Sequence, residues 1–552
     1  MRYIIFFMFI ITYGYGDNFT KEWKTILHLN NKNFGQYNPD FYISYPFVSD
    51  KNELIQDLQL IQEKDKNFIC NFPYRYKFLK KYYKLPNFDL NSCKQLQKFL
   101  VSFKDEKKIG LVFSSEYSSS TESSFGHVML ILINDKSFLN SDVIHFAAKV
   151  KKEGFFKYSY DGLMGNFDAF YIREKLFKKI YLYNILQQRT MFIYYLDVKT
   201  KQFNDFLLHL YELKKFKAKY YFRNYNCASA TLDLLKVIYP SIDYSRLVIF
   251  PINDIEKIKN KTSNIKILIP LNKQIILLLN KMNDEEKLLF NQVMNNKYKG
   301  NLKNLPNIVK ETLNKLYEYK FRRYHYIYGN YEQVKKLKFK SIVLDTKQII
   351  KPLDKPLPTE VSLYENSHHN IEIYFRPFLI SEIDYQKNLT DEKQYEVFTS
   401  KLEIKRNNIY LNEFNIFTSK AMAKIYYPYI TPISKISSMS FNRENIENKL
   451  TFNYEFGIGQ SFQSSFLFNY FIIFGFDYGK YDSIYIKPEI NIIYYYKNFK
   501  FYSISSIKIF DHNYYSNIEG VTYKYNNNFG VSIEYQNNKK DTNYKIGIYY
   551  NF

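Results

Sequence analysis

One thiol and two imidazoles lie in a part of the sequence that suits nucleophilic chemistry. Cys227, in "YFRNYNCASATLDLL", stands where an aromatic, strand-like run gives way to a helical pattern. Asn226 is a good N-cap, so Cys227 takes the first helical position, where backbone amides and the helix dipole stabilise a thiolate and an oxyanion. His127 and His145 lie 18 residues apart on successive apolar runs, "GHVMLILIN" and "DVIHFAAKV". We predict that the Cys227 thiolate attacks an acyl carbonyl, with His127 as base and then acid and His145 orienting its ring.

Each residue type in this set also has a structural interpretation. A buried free cysteine is a small hydrophobe, and a lone buried histidine is more often a hydrogen-bonded core residue, as we expect for His209 in "LLHLYEL". Gly126 lets the chain turn tightly before the strand that begins at His127. His368 and His369 could bind a metal, but the sequence offers no third ligand. We therefore predict neither a metal site nor a cofactor.

The first residues predict a signal peptide, residues 1–16, and therefore an exported protein. Arg2 is followed by the apolar "YIIFFMFIIT" and by "GYG", a small-x-small cleavage pattern. In an oxidising compartment Cys70 and Cys93, 23 residues apart, are a plausible disulfide, which leaves Cys227 as the odd thiol. The net charge of +24 is spread along the chain without a nucleic-acid-binding signature, so we expect a membrane partner and no nucleic acid.

Hydrophobic periodicity predicts an α+β chain of several parts. The C-terminal part, 361–552, has a period of two, with Phe456 and Ile458 on one face of a strand and Glu455 on the other. Its long, Tyr-rich strands predict an antiparallel β-barrel of about ten to twelve strands, inserted in the outer membrane, with a soluble sandwich or a lid-like sheet as the alternatives. The preceding parts are a helical region at 17–108, a catalytic domain of strands and helices at 109–260, a Lys-rich helical region at 261–350 and a proline-marked linker at 351–360.

The order of the reactive residues resembles a known arrangement. A strand histidine and a polar residue precede a helix-initial cysteine in the circularly permuted, NlpC/P60-like papain folds, including the lecithin:retinol acyltransferase type. The chain is most similar to the family of the Lnb N-terminal periplasmic domain. The ordered motifs span about residues 50–260: "CNFPYRYKFL", "LVFSSEYSSSTESSFGHVMLIL", "HFAAKV", "GLMGNFDAFY", "AKYYFRNYNCASATLDLL" and "VIFPIND".

This resemblance implies lipoprotein N-acylation at the bacterial envelope. An acyl chain would move from a phospholipid to Cys227 as a thioester, and then to the α-amine of a diacylglyceryl-cysteine lipoprotein. Ser123 and Asn226 would shape the site, and Arg189 and Tyr194 would contact the substrate. The chain departs from the family at His145, where Asn is usual, at Ala228, where Ser is usual, and at Gln187, Thr190 and Phe192, which replace acidic and Trp positions.

Two other functions fit the same residues. A cell-wall peptide amidase or endopeptidase is one, because NlpC/P60 relatives cut cell-wall peptides. A non-catalytic outer-membrane binding protein, in which the histidines and the cysteine are structural, is the other. A membrane anchor favours a lipid substrate, so we expect the acyltransferase, exported, facing the periplasm and anchored in the outer membrane.

Overall fold

The computed structural model divides the chain into two units, Met1–Ser115 with Gly126–Leu268 and Glu116–Phe125 with Ile269–Phe552. Each unit contains a sheet of its own. The predicted signal peptide and Ser123 lie outside the described residues. The structure describes residues 17–29, 40–44, 47–117, 125–150, 155–243, 248–324, 331–349, 351–380, 391–406, 408–425, 433–444, 449–463, 466–479, 482–509, 514–538 and 542–552.

An antiparallel sheet forms the centre of the first unit. In the described part of the chain it has seven strands, in the order β6-β4-β3-β2-β1-β5-β7. The six middle residues of β2 are all buried, as a continuous apolar run predicts for a strand covered on both faces. The strands are β1 (Glu106–Ser114), β2 (His127–Asn134), β3 (Asp142–Ala148), β4 (Phe167–Lys175), β5 (Met191–Leu196), β6 (Ala218–Tyr220) and β7 (Thr262–Leu268).

Helices surround this sheet. The Cys70–Cys93 disulfide predicted from the sequence is present, and it joins α3 to the residue that precedes α5. A π-helical segment, Ile180–Leu186, continues α7. The helices are α1 (Asp17–Ile26), α2 (Asp50–Gln62), α3 (Lys66–Asn71), α4 (Pro73–Tyr82), α5 (Lys94–Val101), α6 (Phe155–Met164), α7 (Leu176–Lys179), α8 (Thr200–Glu212), α9 (Cys227–Lys236) and α10 (Pro251–Ile258).

The region predicted as Lys-rich and helical, 261–350, differs at its start. Its first residues form β7, which pairs with β5, so the pairing partner rather than local sequence decides the conformation of this edge strand. The helices that follow pack through a core that includes Leu278, Phe290 and Leu316. No helix in the described ranges is long and apolar enough to cross a membrane. These helices are α11 (Leu271–Lys281), α12 (Asp284–Met294), α13 (Asn307–Tyr324) and α14 (Tyr331–Lys335).

The remaining strands close into a barrel. Successive strands pair antiparallel from β11 to β20, β20 pairs with β8, and β9 returns to β11. Pro377 separates β9 from β10, and both pair with β11, so together they fill one position in the wall. The strands are β8 (Glu360–Asn366), β9 (Ile371–Arg376), β10 (Phe378–Ile380), β11 (Asp391–Lys405), β12 (Asn408–Ile425), β13 (Ser434–Glu444), β14 (Lys449–Gln463), β15 (Leu467–Tyr478), β16 (Ser483–Tyr496), β17 (Phe499–Lys508), β18 (Tyr514–Lys524), β19 (Phe529–Asn538) and β20 (Thr542–Asn551).

The barrel has an apolar outside and a polar inside. On β14, Phe456 and Ile458 are 51% and 59% exposed, whereas Glu455 is 7% exposed. On β20, Ile546 is exposed and Lys545 is buried. This alternation is the arrangement of outer-membrane barrels. With twelve strand positions described, the predicted antiparallel barrel is confirmed, and the soluble sandwich is wrong.

Candidate active site

Cys227 begins α9, and Asn226 caps that helix as the sequence predicts. The Asn226 side-chain oxygen accepts from the backbone N–H groups of Ala228 and Ser229, at 2.9 and 3.4 Å. Its amide nitrogen donates to backbone carbonyl groups at Phe222 and Ile249, at 3.0 and 2.8 Å. These bonds fix the first turn of α9 between two neighbouring loop segments, so the cap also positions the thiol.

The Cys227 thiol is buried among hydrogen-bond donors. Its pKa rises to about 11 because burial outweighs the N–H groups of Val128 and Ala228 and the Tyr220 hydroxyl, which all favour the thiolate. The Cys227 N–H donates to the Tyr220 hydroxyl oxygen at 3.2 Å. The N–H groups at the start of α9 do favour the thiolate, as the sequence predicts, but the desolvation of a thiol that is 5% exposed is the larger effect, so the net pKa is raised and not lowered.

The two predicted histidines lie side by side. The ring centroids of His127 and His145 are 6.0 Å apart in an edge-to-face arrangement. Burial and the nearby Lys179 lower the pKa of His145 to about 4 against the opposing effect of Glu174, and burial holds the pKa of His127 well below its usual range. Both imidazoles are therefore neutral at pH 7. In the described structure neither His127 Nε2 nor His145 Nδ1 has a hydrogen-bond partner, although both atoms are buried.

A carboxylate that the sequence analysis missed orients the second histidine. Glu174 Oε2 lies 3.0 Å from His145 Nε2, and Lys179 donates to the same carboxylate oxygen. The Lys179 hydrogen bond lowers the pKa of Glu174, so this group stays ionised. Glu174 pairs with Val143 across β3 and β4 and shares a sheet face with His145. In the sequence "AFYIREK", the alternation of side chains along a strand was the signal that could have placed Glu174 on the same face as His145.

The thiol and the imidazoles approach the start of β2 from opposite faces of the sheet. The His127 ring lies 5.8 Å from that of Tyr183, which covers one face together with the π-helical segment. On the other face, Phe146 packs against Tyr171, whose hydroxyl donates to the carbonyl oxygen of Ala230 in α9. Among the described contacts, the thiol of α9 meets the backbone of β2 beside His127, and no hydrogen bond joins it to that imidazole.

Gly126 has the backbone role expected of it. Its φ is +92°, and a Cβ atom there would lie 2.8 Å from the Phe113 ring and 2.9 Å from the carbonyl oxygen of Ser114. Any side chain would strain the turn that leads into His127. Ser123, which was also expected to shape the site, lies outside the described residues.

The two residues expected to contact the substrate make structural contacts in the sheet. The Arg189 guanidinium donates to the carbonyl oxygens of Ser114 and Ser115, at 2.9 and 2.5 Å, and its side chain is buried. Tyr194 is buried in β5, where its strand neighbours are Leu111 and Ile265. In this structure both residues support the end of β1 and the centre of the sheet.

Two further residues near the thiol were not predicted. Tyr220 places its hydroxyl beside both the Cys227 N–H and the sulfur, and it is the first residue of "YYFRNYNC". Asp254, in the "VIFPIND" motif, is fully buried, and neither carboxylate oxygen has a hydrogen-bond partner in the part of the chain that the structure describes. Burial raises the pKa of Asp254 well above its usual range, and its charge raises the pKa of Cys227. Only the fold brings these groups to the thiol.

The other histidines lie elsewhere. His209 is buried, with its Nε2 3.1 Å from His28 Nε2 and its Nδ1 3.2 Å from Glu212 Oε2, in keeping with a core role. His369 Nδ1 lies 3.1 Å from Glu365 Oε1 in the β8–β9 hairpin. No group of three His, Cys, Asp or Glu side chains that could hold a metal ion occurs within the described ranges.

Comparisons with known proteins address the two units separately. No curated protein matches the chain. Among solved structures, the chain is similar to the KdgM porin in complex with disordered oligogalacturonate, with 10% identity, a TM-score of 0.24, and coverage of 35% of this chain and 98% of that chain. It is also similar to outer membrane phospholipase A from Escherichia coli, with 10% identity, a TM-score of 0.24, and coverage of 36% of this chain and 91% of that chain. A third is the outer membrane channel DcaP of Acinetobacter baumannii, with 7% identity, a TM-score of 0.18, and coverage of 35% of this chain and 96% of that chain.

The family comparison concerns the segment that contains the candidate site. Residues 97–261 match the family model of the Lnb N-terminal periplasmic domain, as the motifs predict. A periplasmic domain followed by a barrel of the outer-membrane type indicates a protein that faces the periplasm and associates with the outer membrane. The segment that matches this family model contains His127, His145 and Cys227.

Proposed function

We propose that the first unit contains a cysteine-dependent acyltransferase of the bacterial envelope, built as a permuted papain-like domain. One observation supports this most: the Cys227 sulfur lies among the N–H groups of Val128 and Ala228 and the hydroxyl of Tyr220. Such donors around a helix-initial thiol suit the oxyanion that forms in acyl transfer. The strand that bears His127 precedes the helix of Cys227 in the chain, which is the permuted order.

The proposed reaction has two halves joined by a thioester. The Cys227 sulfur attacks an ester carbonyl of a phospholipid while His127 takes the thiol proton; the S–C bond forms, the C–O bond breaks, and His127 returns the proton to the lysophospholipid oxygen. A lipoprotein α-amine then attacks the thioester carbonyl; the N–C bond forms, the C–S bond breaks, and the amine proton passes through His127 to the leaving thiolate.

The resting geometry sets a requirement for the first step. The Cys227 thiol and the His127 imidazole are both uncharged before substrate binds, so they do not form a thiolate–imidazolium pair in advance. Proton transfer needs the His127 ring within about 3 Å of the sulfur, and catalytic contacts that are loose in a free enzyme tighten in the substrate complex. Because the thiol and the His127 ring start on opposite faces of the sheet, the start of β2 has to rearrange before this contact forms. Acyl-chain binding between the start of β2 and α9 is the event that we expect to drive this rearrangement.

The barrel supports the choice of a lipid as the substrate class. Apolar side chains such as Phe456, Ile458 and Ile546 face outward and suit a membrane, so the domain joined to the barrel stays at a lipid surface. A phospholipid is therefore the acyl donor that we propose, and a lipoprotein amine is the acceptor that family membership favours.

Reconstituted protein tests this function. Full-length protein in phospholipid vesicles is incubated with a diacylated lipoprotein, and mass spectrometry follows the gain of a third acyl chain. We expect the gain with wild type and none with Cys227→Ala or His127→Ala. The Cys70–Cys93 disulfide and the circular dichroism spectrum report that each variant is folded.

The alternatives give different results in the same preparation. Release of peptides from purified cell wall that depends on Cys227, without any acylated lipoprotein, would replace the acyltransferase with an amidase or endopeptidase. If Cys227→Ala changed neither activity, the site would be structural, and the protein a binding component of the outer membrane.

A further inference from the structure

A polar cavity of about 730 Å³ opens at one end of the barrel. It lies among the β8–β9, β11–β12 and β19–β20 hairpins and the end of β13, and we name it the distal cup. Every described residue that lines it is polar. They are Asn366, His368, His369, Asn370, Glu372, Lys401, Glu403, Lys405, Arg406, Asn412, Glu413, Asn442, Arg443, Gln536, Asn538, Asn543 and Lys545.

The position of the distal cup within the barrel follows from the chain path. The chain enters the barrel at Glu360 and leaves it at Asn551, and these two residues are paired at one end. The hairpins of the cup lie at the opposite ends of the same strands. The cup is therefore at the end of the barrel away from its first and last residues.

Ion pairs connect charged side chains on the interior of the barrel below the distal cup. Glu372 on β9 lies 3.2 Å from Lys401 on the paired strand β11 and 3.0 Å from Lys545 on β20. Further along the interior, Lys420 on β12 lies 2.7 Å from Glu489 on β16, although three strands separate β12 from β16 in the wall. Both groups of this second pair are almost fully buried, so these charges are compensated within the barrel.

The lining of the distal cup offers positive charge and amide groups. Five Lys or Arg residues face three Glu residues, and no apolar or aromatic side chain is present among the described lining residues. Asn370 and Asn412 donate to the two carboxylate oxygens of Glu403, each at 2.8 Å, so both oxygens already accept a hydrogen bond within the cup. At the rim, Lys405 and Arg406 are exposed and have no ion-pair partner within the described residues.

We propose that the distal cup binds an anionic, hydroxyl-rich ligand, namely a phosphorylated or carboxylated sugar. Its volume suits a ligand of one or two sugar rings, since small-molecule sites measure about 300–1,000 Å³. The Lys405 and Arg406 side chains supply charge-assisted hydrogen bonds to the phosphate or carboxylate, and the surrounding amides donate to and accept from sugar hydroxyls. The sugar is either free in solution or the headgroup of a lipid, and both sources present the same chemistry.

Calorimetric binding to the full-length protein in detergent tests the proposal. The probes are glucose 6-phosphate, glucuronate, inorganic phosphate and uncharged glucose. We expect both anionic sugars to bind and to lose at least about tenfold in affinity in the Lys405→Gln/Arg406→Gln variant, the loss expected when a charge-assisted hydrogen bond is removed. The Lys435→Gln variant, an exposed lysine at the other end of β13, serves as the matched control and retains wild-type affinity.

The outcomes separate the proposal from its competitors. Absence of binding by both anionic sugars, equal binding by the Lys405→Gln/Arg406→Gln variant, or equal affinity for inorganic phosphate would overturn it. A phosphorylated glycolipid in nanodiscs that competes with glucose 6-phosphate identifies a lipid-borne ligand, and failure to compete identifies a soluble one. We expect Cys227→Ala to bind the anionic sugars as wild type does, so the test of the distal cup is independent of the test of the acyltransferase.

Discussion

The reactivity of Cys227 is the most direct consequence of its burial. The pKa rises from 9.0 to about 11. At pH 8 the thiolate fraction is then about one hundredth of that of an unperturbed thiol, because each pKa unit changes it about tenfold. The chain has three cysteines, and two form the disulfide, so Cys227 is the one thiol available to an alkylating reagent.

The rate at which iodoacetamide alkylates Cys227 can be followed by intact-mass measurement. No other thiol contributes to the measured rate, since Cys70 and Cys93 form the disulfide. We expect native protein at pH 8 to react at least about a hundredfold more slowly than the same protein unfolded in urea with its disulfide intact. Restricted access also slows the reaction, so the pH profile is the decisive readout. The native rate should continue to rise about tenfold per pH unit between pH 9 and pH 10, where the unfolded protein levels off.

A native rate that levels off below pH 9 would refute the reasoning, because it would place the thiol pKa at or below its ordinary value. The raised pKa of Cys227 also makes the folded protein less stable at high pH. The folded state holds its proton more tightly than the unfolded state, so this contribution to stability is complete below pH 9 and is lost as the pH rises towards 11.

Three substitutions test the groups around the thiol. Tyr220→Phe removes a hydroxyl beside Cys227, and we expect initial acyl-transfer rates about 10²–10³-fold lower, with a loss of about 1–3 kcal/mol in unfolding because the Cys227 N–H loses its acceptor; an unchanged rate would exclude Tyr220 as an oxyanion donor. Glu174→Gln removes the carboxylate that orients an imidazole, and kcat should fall at least about tenfold while KM holds; a change in KM alone would contradict this role. Asn226→Ala should lower the free energy of unfolding in urea by about 3 kcal/mol, because it removes the helix cap and the two hydrogen bonds that the Asn226 amide donates to backbone carbonyl groups. Asn283→Ala removes a helix cap without such additional bonds and should cost about 1 kcal/mol. Equal losses for the two variants would refute the positioning role of Asn226.

The barrel and the helix cap could be predicted because short-range patterns determine them. The period of two in the C-terminal part follows from lipid on one side of each strand and a polar interior on the other, so Phe456 and Glu455 alternate as the pattern predicts. Asn226 is a cap because its side chain competes for the backbone N–H groups two and three residues ahead. By contrast, β7 is Lys- and Asn-rich, and only its pairing with β5 makes it a strand.

The electrostatics of the site could not be predicted from sequence spacing. The helix N-terminus favours a thiolate, but desolvation by the packed helices is larger, and it depends on the whole fold. Alternation along β2 and β3 puts His127 and His145 on the same face of the sheet, and the sequence does contain that information. Which face α9 covers is a tertiary property, so the separation of Cys227 from the imidazoles was not visible in the sequence.

The central claim is that Cys227 accepts an acyl chain. Full-length protein is incubated with phospholipid of defined acyl composition and no acceptor, quenched in acid, and analysed by mass spectrometry before and after neutral hydroxylamine. We predict one acyl group on Cys227, which hydroxylamine removes and which Cys227→Ala lacks. A protein that stays unmodified during turnover, or an acyl group that persists in Cys227→Ala, would contradict it.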